Sequence, residues 1–251
     1  MRKARGQDCA DRGYLLAYQV KPCQNLDPGS MVADQNRSTP IRILCHGRPT
    51  LKIAVRHGWL PGARYTNLRD VRGFTTIGLI DIEWRHYDFR KHLEAVRTTR
   101  PLLTIARDVE DIGDLTEILD QAHELSLWCK HVVIVPKDRR FHKFLTHLVP
   151  SKFILGYSVP TRYGTTHVPI EAFGKRSVHL LGGRPDVQYA LAQQLNVFSL
   201  DGNRFTLDAS YGDYFNGHHF VRHPSGGYFR CIRASLEAIN TLWQGRTCTT
   251  Q

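Results

Sequence analysis

The six cysteines (Cys9, Cys23, Cys45, Cys129, Cys231 and Cys248) form no CxxC pair, which argues against a zinc ribbon or a dense disulfide framework. They read as the free thiols of a reducing compartment, so a cytoplasmic location is expected. No run approaches 18 apolar residues, and the charged start Met1-Arg-Lys-Ala-Arg-Gly6 leads into no apolar core, so neither a membrane span nor a secretory signal is expected. No HExxH, GxSxG, Walker loop or GxGxxG occurs. A zinc protease, a serine hydrolase, a P-loop enzyme and a dinucleotide-binding unit therefore lack their signatures. No cofactor or metal site is expected. Acidic residues are scarce beside basic ones, 23 against 34, for a formal net charge of +11. That excess points to a polyanionic partner, with nucleic acid favoured over a membrane surface.

At 251 residues and 41% hydrophobic content, the chain is long enough for one large domain with a sizeable core. Residues 1–40 are polar and broken by Pro22, Pro28, Gly29 and Pro40, and read as an irregular extension. From residue 41 the pattern becomes short apolar runs, each followed by turn residues and a longer segment. The runs are 41–45, 76–82, 102–106, 132–135, 153–155, 178–181 and 197–200. Helical patterns are expected over 89–98, 112–125, 141–148, 170–173, 186–195 and 229–243. Strands alternating with helices predict a parallel sheet, and seven or eight such units suit a closed (β/α)8, TIM-like α/β barrel over 41–251. An open doubly wound sheet is the alternative.

Acids recur just after the apolar runs: Asp81 and Glu83, then Asp108, Glu110 and Asp111, then Asp138, then Asp201. In a barrel these strand ends converge on one mouth, where neighbouring carboxylates can divide nucleophile and acid/base roles. Taken singly, each acid is better explained as a helix cap or first-turn acid, Asp111 and Asp114 above all, and it is the recurrence at four strand ends that points to a site. Basic and aromatic residues interleave in Trp84-Arg-His-Tyr-Asp-Phe-Arg-Lys91 and Lys137-Asp-Arg-Arg-Phe-His-Lys143. Arg85, Arg90, Lys91, Lys137, Arg139, Arg140, Arg162 and Arg204 are thus expected to meet a nucleic-acid backbone. The Gly-, His- and aromatic-rich stretch 211–227 reads as a lid or a further contact surface.

Three segments carry a resemblance. Val178-His-Leu-Leu-Gly-Gly-Arg-Pro-Asp186 is similar to the strand-Gly-x-Pro-helix segment of the tRNA-guanine transglycosylase superfamily. Val197-Phe-Ser-Leu-Asp-Gly-Asn203 is similar to the following strand, which carries that family's nucleophilic aspartate, and Tyr211-Gly-Asp-Tyr-Phe215 looks like a Tyr-Gly-aromatic box beyond it. More narrowly the chain resembles the DpdA-like DNA 7-deazaguanine transglycosylases of phages and bacteria, over roughly residues 41–243. The resemblance implies a TIM-like barrel that exchanges guanine in DNA for a 7-deazaguanine such as preQ0. It further implies Asp201 as nucleophile and Asp81 as acid/base. Asp108, Gly156, Tyr157, Gly182 and Gly183 would form the base pocket. The tRNA enzymes' CxCxxC…H zinc element is absent, so no zinc subdomain is expected, and Ile82-Glu-Trp-Arg85 stands where the family has Ser-Gly-Gly-Phe.

That chemistry asks for one carboxylate to attack C1′ and a second group to protonate the departing base. A recognition carboxylate suits the N1–H and exocyclic amine of guanine, and the base must be flipped out or unpaired. Two alternatives stand beside this reading: a base-excising glycosylase or hydrolase on the same barrel, and an inactive nucleic-acid-binding subunit. RNA stays open as a substrate, as does a requirement for a partner subunit or a homodimer.

Overall fold

The structure is a computed structural model that describes residues 39–161 and 165–244. Eight parallel strands close into a barrel in chain order: β1 (Ile41–Cys45), β2 (Leu60–Arg64), β3 (Leu79–Asp81), β4 (Leu103–Ile105), β5 (His131–Ile134), β6 (Ile154–Ser158), β7 (Ser177–Leu181) and β8 (Asn196–Asp201). β8 pairs with β1, with Ile43 opposite Asp201, and this seals the ring. Around it lie α1 (Arg48–Arg56), α2 (Phe89–Thr99), α3 (Leu115–Leu125), α4 (Leu145–Leu148), α5 (Pro185–Leu191), α6 (Arg204–Ser210) and α7 (Tyr228–Gln244). A hairpin of β9 (Asp213–Phe215) and β10 (Phe220–Arg222) occupies the 211–227 stretch. The expected (β/α)8 barrel is the observed fold. The extension expected over 1–40 lies outside the described residues except for its last two.

Alternation builds the two-layered core. Ile43, Leu79, Leu103, Ile105, Val133, Val135 and Ile154 pack together inside the barrel. Their neighbours Leu44, Ile80, Val132, Ile134, Leu155, Val178, Leu180 and Leu200 face the helices. α2 opens on Asp88, whose side chain accepts from the Lys91 N–H, and buries His92, Ala95 and Val96 at helical spacing. α7 buries Cys231, Ile232, Ser235, Leu236, Ile239 and Trp243. It is pinned to the barrel where the Trp59 indole donates to Asn240 Oδ1 at 2.9 Å. Among the described residues no helix is long and apolar enough to cross a membrane.

The structure adds α1 and α6 to the expected helices and makes 112–114 and 170–173 3-10 turns, and two further departures show their physical cause. The helix expected over 141–148 is a 3-10 turn (Arg139–Lys143) followed by the four-residue α4. Phe144 between them leaves the helical region (φ −126°, ψ 2°) and stays exposed, which lets Phe141 and Leu145 both reach the core. The second departure is β2, Leu60-Pro-Gly-Ala-Arg64, which is not among the expected strands. It is a strand because the barrel needs no side chain at Gly62: a Cβ there would stand 2.6 Å from Cys45 Sγ and 3.2 Å from Ile43 Cγ2. The Gly78 N–H still finds the Pro61 carbonyl at 2.7 Å.

Candidate functional site

Asp81 ends β3, Asp201 ends β8, and Asp108 follows β4 by three residues. All three therefore stand at the C-terminal mouth of the barrel, where such folds keep their chemistry. Asp81 is pushed up to about 7, chiefly by burial and then by the negative charge of Asp201, with Asp108 adding to it. The Ile82 N–H (2.8 Å from Asp81 Oδ1) and the Arg64 guanidinium oppose the rise. Asp108 is raised to about 6, again by burial, against the pull of Lys137. The Lys137 ammonium lies 3.8 Å from Asp108 Oδ2 and donates to Ser158 Oγ at 2.6 Å. Carboxyls raised by burial, with Asp201 and Asp108 acting on Asp81 and Glu110 on Asp108, suit proton transfer near pH 7.

Asp201 is held from both sides of its strand end. The Gly182 N–H donates to its Oδ1 at 3.0 Å, and the Gln188 side chain donates to the carbonyls of Gly182 (2.7 Å) and Asp201 (2.6 Å). Gly182 (φ +63°) and Gly183 (φ +87°) take the left-handed backbone that turns this N–H toward the carboxylate. At Gly183 the space is closed as well, since a Cβ would meet Val159 Cγ1 at 2.2 Å. The two glycines are thus supports for Asp201. Beside it, burial and the charges of Asp201 and Asp81 push the Cys45 thiol well above its ordinary value.

The other expected site residues are placed variously. The Tyr157 ring points outward, packs edge-on against Phe173 at 5.4 Å and belongs to the helical layer, not to the mouth. Strand alternation is the reason: Gly156 takes the inward position, and a Cβ on it would stand 2.7 Å from Val135 Cγ2. Lys137 is largely buried within the mouth instead of presenting its charge on the rim. Arg140 is occupied by Asp138 and Asp111, its Nη2 2.6 Å from Asp111 Oδ1. Arg204 is likewise engaged by Asp208 at 2.7 and 2.9 Å. Lys91 pairs with the helix-capping Asp88 at 3.0 Å. Arg90 and Arg139 are exposed, and Arg85 lies 4.9 Å from the centre of the exposed Trp84 ring in the loop that follows Asp81. Arg162 lies outside the described residues.

Of the remaining strand-end acids, Glu83 pairs with Arg64 at 2.7 Å, and Asp111 and Asp138 cap 3-10 turns. Several groups escaped sequence reasoning. Arg64 and Cys45 sit on the short strands around the mouth, and Ser158 ends β6. Arg48, Lys52 and Arg56, spaced four apart on α1, line a cavity of about 320 Å³ with Pro49 and Ile53. The most telling is His179, a polar residue inside the apolar run of β7, fully buried and 3.5 Å from Asp201 Oδ1. Among the described residues, no group of three or more His, Cys, Asp and Glu side chains is disposed to hold a metal ion.

Fold and site together define a (β/α)8-barrel protein with a mouth lined by carboxylates. Residues 54–244 match the model of a family of unknown function (DUF6610), and the chain belongs to that family. No curated protein matches it.

Proposed function

We propose that the chain is a DNA-guanine transglycosylase that exchanges guanine for a 7-deazaguanine such as preQ0. The observation that carries this reading is the pairing of Asp81, held near 7, with an Asp201 whose carboxylate is anchored at the same mouth. Asp201 attacks C1′ of the extruded nucleotide as the C1′–N9 bond breaks, and the departing guanine takes the Asp81 proton. The incoming base returns a proton to Asp81 as its own N9 attacks C1′ and releases Asp201, so two inversions give retention.

Asp108, raised only to about 6, is mostly ionised at neutral pH and accepts from the N1–H and exocyclic amine of the base. Lys137 and Ser158 replace Tyr157 as its neighbours in the pocket. The exposed Trp84 with Arg85 over it offers a stacking face for a neighbouring base, and the net charge of +11 favours the DNA backbone.

The test is to incubate the protein with guanine-containing DNA and labelled guanine, preQ0 or preQ1, beside Asp201→Ala. Label entering DNA with the wild type and not with the variant is the expected result. Abasic product without incorporation would replace transglycosylation with base excision. Salt-sensitive DNA binding with neither product would make the barrel a binding subunit.

A further inference from the structure

Inside the barrel, directly beneath Asp201, lies a chain of polar groups that the proposed reaction leaves unused. His179 on β7 and Ser199 on β8 are both fully buried, and His179 Nδ1 lies 2.8 Å from Ser199 Oγ. The other ring nitrogen, Nε2, is buried and makes no hydrogen bond; the group it faces is Asp201 Oδ1, at 3.5 Å. A buried polar atom without a partner is costly, and it is rarely kept without a purpose.

The arrangement selects a tautomer. A neutral imidazole has one N–H and one lone pair. With the proton on Nδ1, the Nε2 lone pair would point at a carboxylate oxygen, two acceptors facing each other away from water. With the proton on Nε2, a donor lies 3.5 Å from Oδ1, close enough for a small shift to complete a hydrogen bond, and the Ser199 hydroxyl donates to Nδ1. The second arrangement satisfies Ser199 and directs both donors in the chain toward the aspartate. The Gly182 N–H already donates to that same Oδ1 at 3.0 Å. Among the described residues, Oδ2 takes part in no hydrogen bond.

We infer that His179 is a positioning residue that clamps Oδ1 of Asp201 through Nε2–H, with Ser199 fixing the tautomer, and that Oδ2 is the atom that attacks. The role assigned to Oδ2 rests on Asp201 being the nucleophile, as proposed above; the clamp itself does not. Once Oδ2 is bonded to C1′, Oδ1 is the ester carbonyl oxygen. Negative charge returns to the carboxylate as the incoming base displaces it. Two donors at Oδ1 therefore favour release of Asp201 in the second half-reaction, much as donors brace an oxyanion elsewhere. Losing the more distant of the two, 3.5 Å away, is expected to slow that step about tenfold, less than the roughly hundredfold loss of a well-placed oxyanion donor.

Two measurements test this. The first is the tautomer of His179, read from ¹⁵N spectra of histidine-labelled protein and assigned by the signal missing from His179→Phe. A proton on Nε2 is expected, and a proton on Nδ1 overturns the clamp whether or not the protein exchanges bases. If His179→Phe does not fold, Ser199→Ala makes the assignment, because it moves only the histidine whose Nδ1 it releases. The second is single-turnover kinetics on DNA with a labelled base. His179→Phe should accumulate the covalent adduct and resolve it about tenfold more slowly with DNA affinity unchanged, and His179→Gln, which keeps an N–H donor, should recover part of the loss. Equal resolution rates in wild type and His179→Phe would overturn the role of the clamp in releasing Asp201. A wild type that forms no adduct while the Nε2 tautomer is present would instead remove the proposed reaction and leave the clamp as a structural tie to Asp201.

Discussion

Replacing Asp81 with asparagine is expected to stabilise the folded chain above pH 7 while removing the proposed base exchange. The side chain is nearly isosteric, and its Oδ1 can still accept from the Ile82 N–H, so the local contacts survive. What disappears is the cost of ionising a buried carboxyl beside Asp201. A midpoint moved from 3.8 to about 7 corresponds to about 4 kcal/mol at pH 8, at about 1.4 kcal/mol per tenfold change in proton affinity. Asp81 keeps some contact with solvent, so screening lowers the expected gain to about 2–4 kcal/mol. The sign follows from proton counting. Between pH 4 and 7 the folded wild type binds more protons than the unfolded chain, so its stability falls as pH rises through that window and levels off above 7. Asparagine does not titrate, so the variant's advantage should grow over the same range and be small near pH 4. Denaturant midpoints followed by tryptophan fluorescence at pH 4, 5.5 and 8 measure it. An advantage equal at all three pH values, or none at pH 8, would refute the idea that Asp81 carries stored electrostatic cost.

Gly183→Ala should cost about 2–4 kcal/mol, combining positive-φ strain with the clash on Val159, whereas Gly182→Ala, with φ +63° but open space, should cost about 1 kcal/mol; thermal unfolding of the pair measures the difference. Lys137→Met removes the cation beside Asp108 and should raise that carboxyl above its present midpoint of about 6, which ¹³C NMR titration of aspartate-labelled protein reads directly; an unchanged midpoint would break the assigned pair. His92, buried against Thr104 and Tyr87, is lowered to about 4 by burial. Between pH 6.5 and 4.5 the unfolded chain therefore takes a proton that the folded one refuses, and the wild type should lose about 2–3 kcal/mol more stability than His92→Gln across that window in denaturant titrations.

The barrel was legible because its buried strands announce themselves as apolar runs at regular intervals, and Asp81, Asp108 and Asp201 were legible because acids close three of those runs. What escaped depends on contacts between strands. Gly62 is inside a strand only because Cys45 and Ile43 fill the space of its missing side chain, and no local pattern carries that information. Tyr157 and Gly156 are one residue apart, and which of them faces inward is set by the register of β6 against β5 and β7. His179 did leave a trace, a polar residue in the middle of Val178-His-Leu-Leu181, yet its meaning depends on Ser199 and Asp201 of the next strand. Lys137 reads as one more basic residue of a charged run until the fold turns it onto Asp108.

The strand that bears Asp201 is also the one that completes the ring, since β8 is the last barrel strand to be made and pairs with β1, the first. A growing chain that has reached only Leu181 holds seven strands with open edges at β1 and β7, each able to pair with a stranger. At translation rates of about 5–20 residues per second, that exposed stage passes within seconds. Assembly of the carboxylate mouth and removal of the sticky edges are therefore one event. The chain acquires its full set of mouth carboxylates no sooner than its barrel edges are covered.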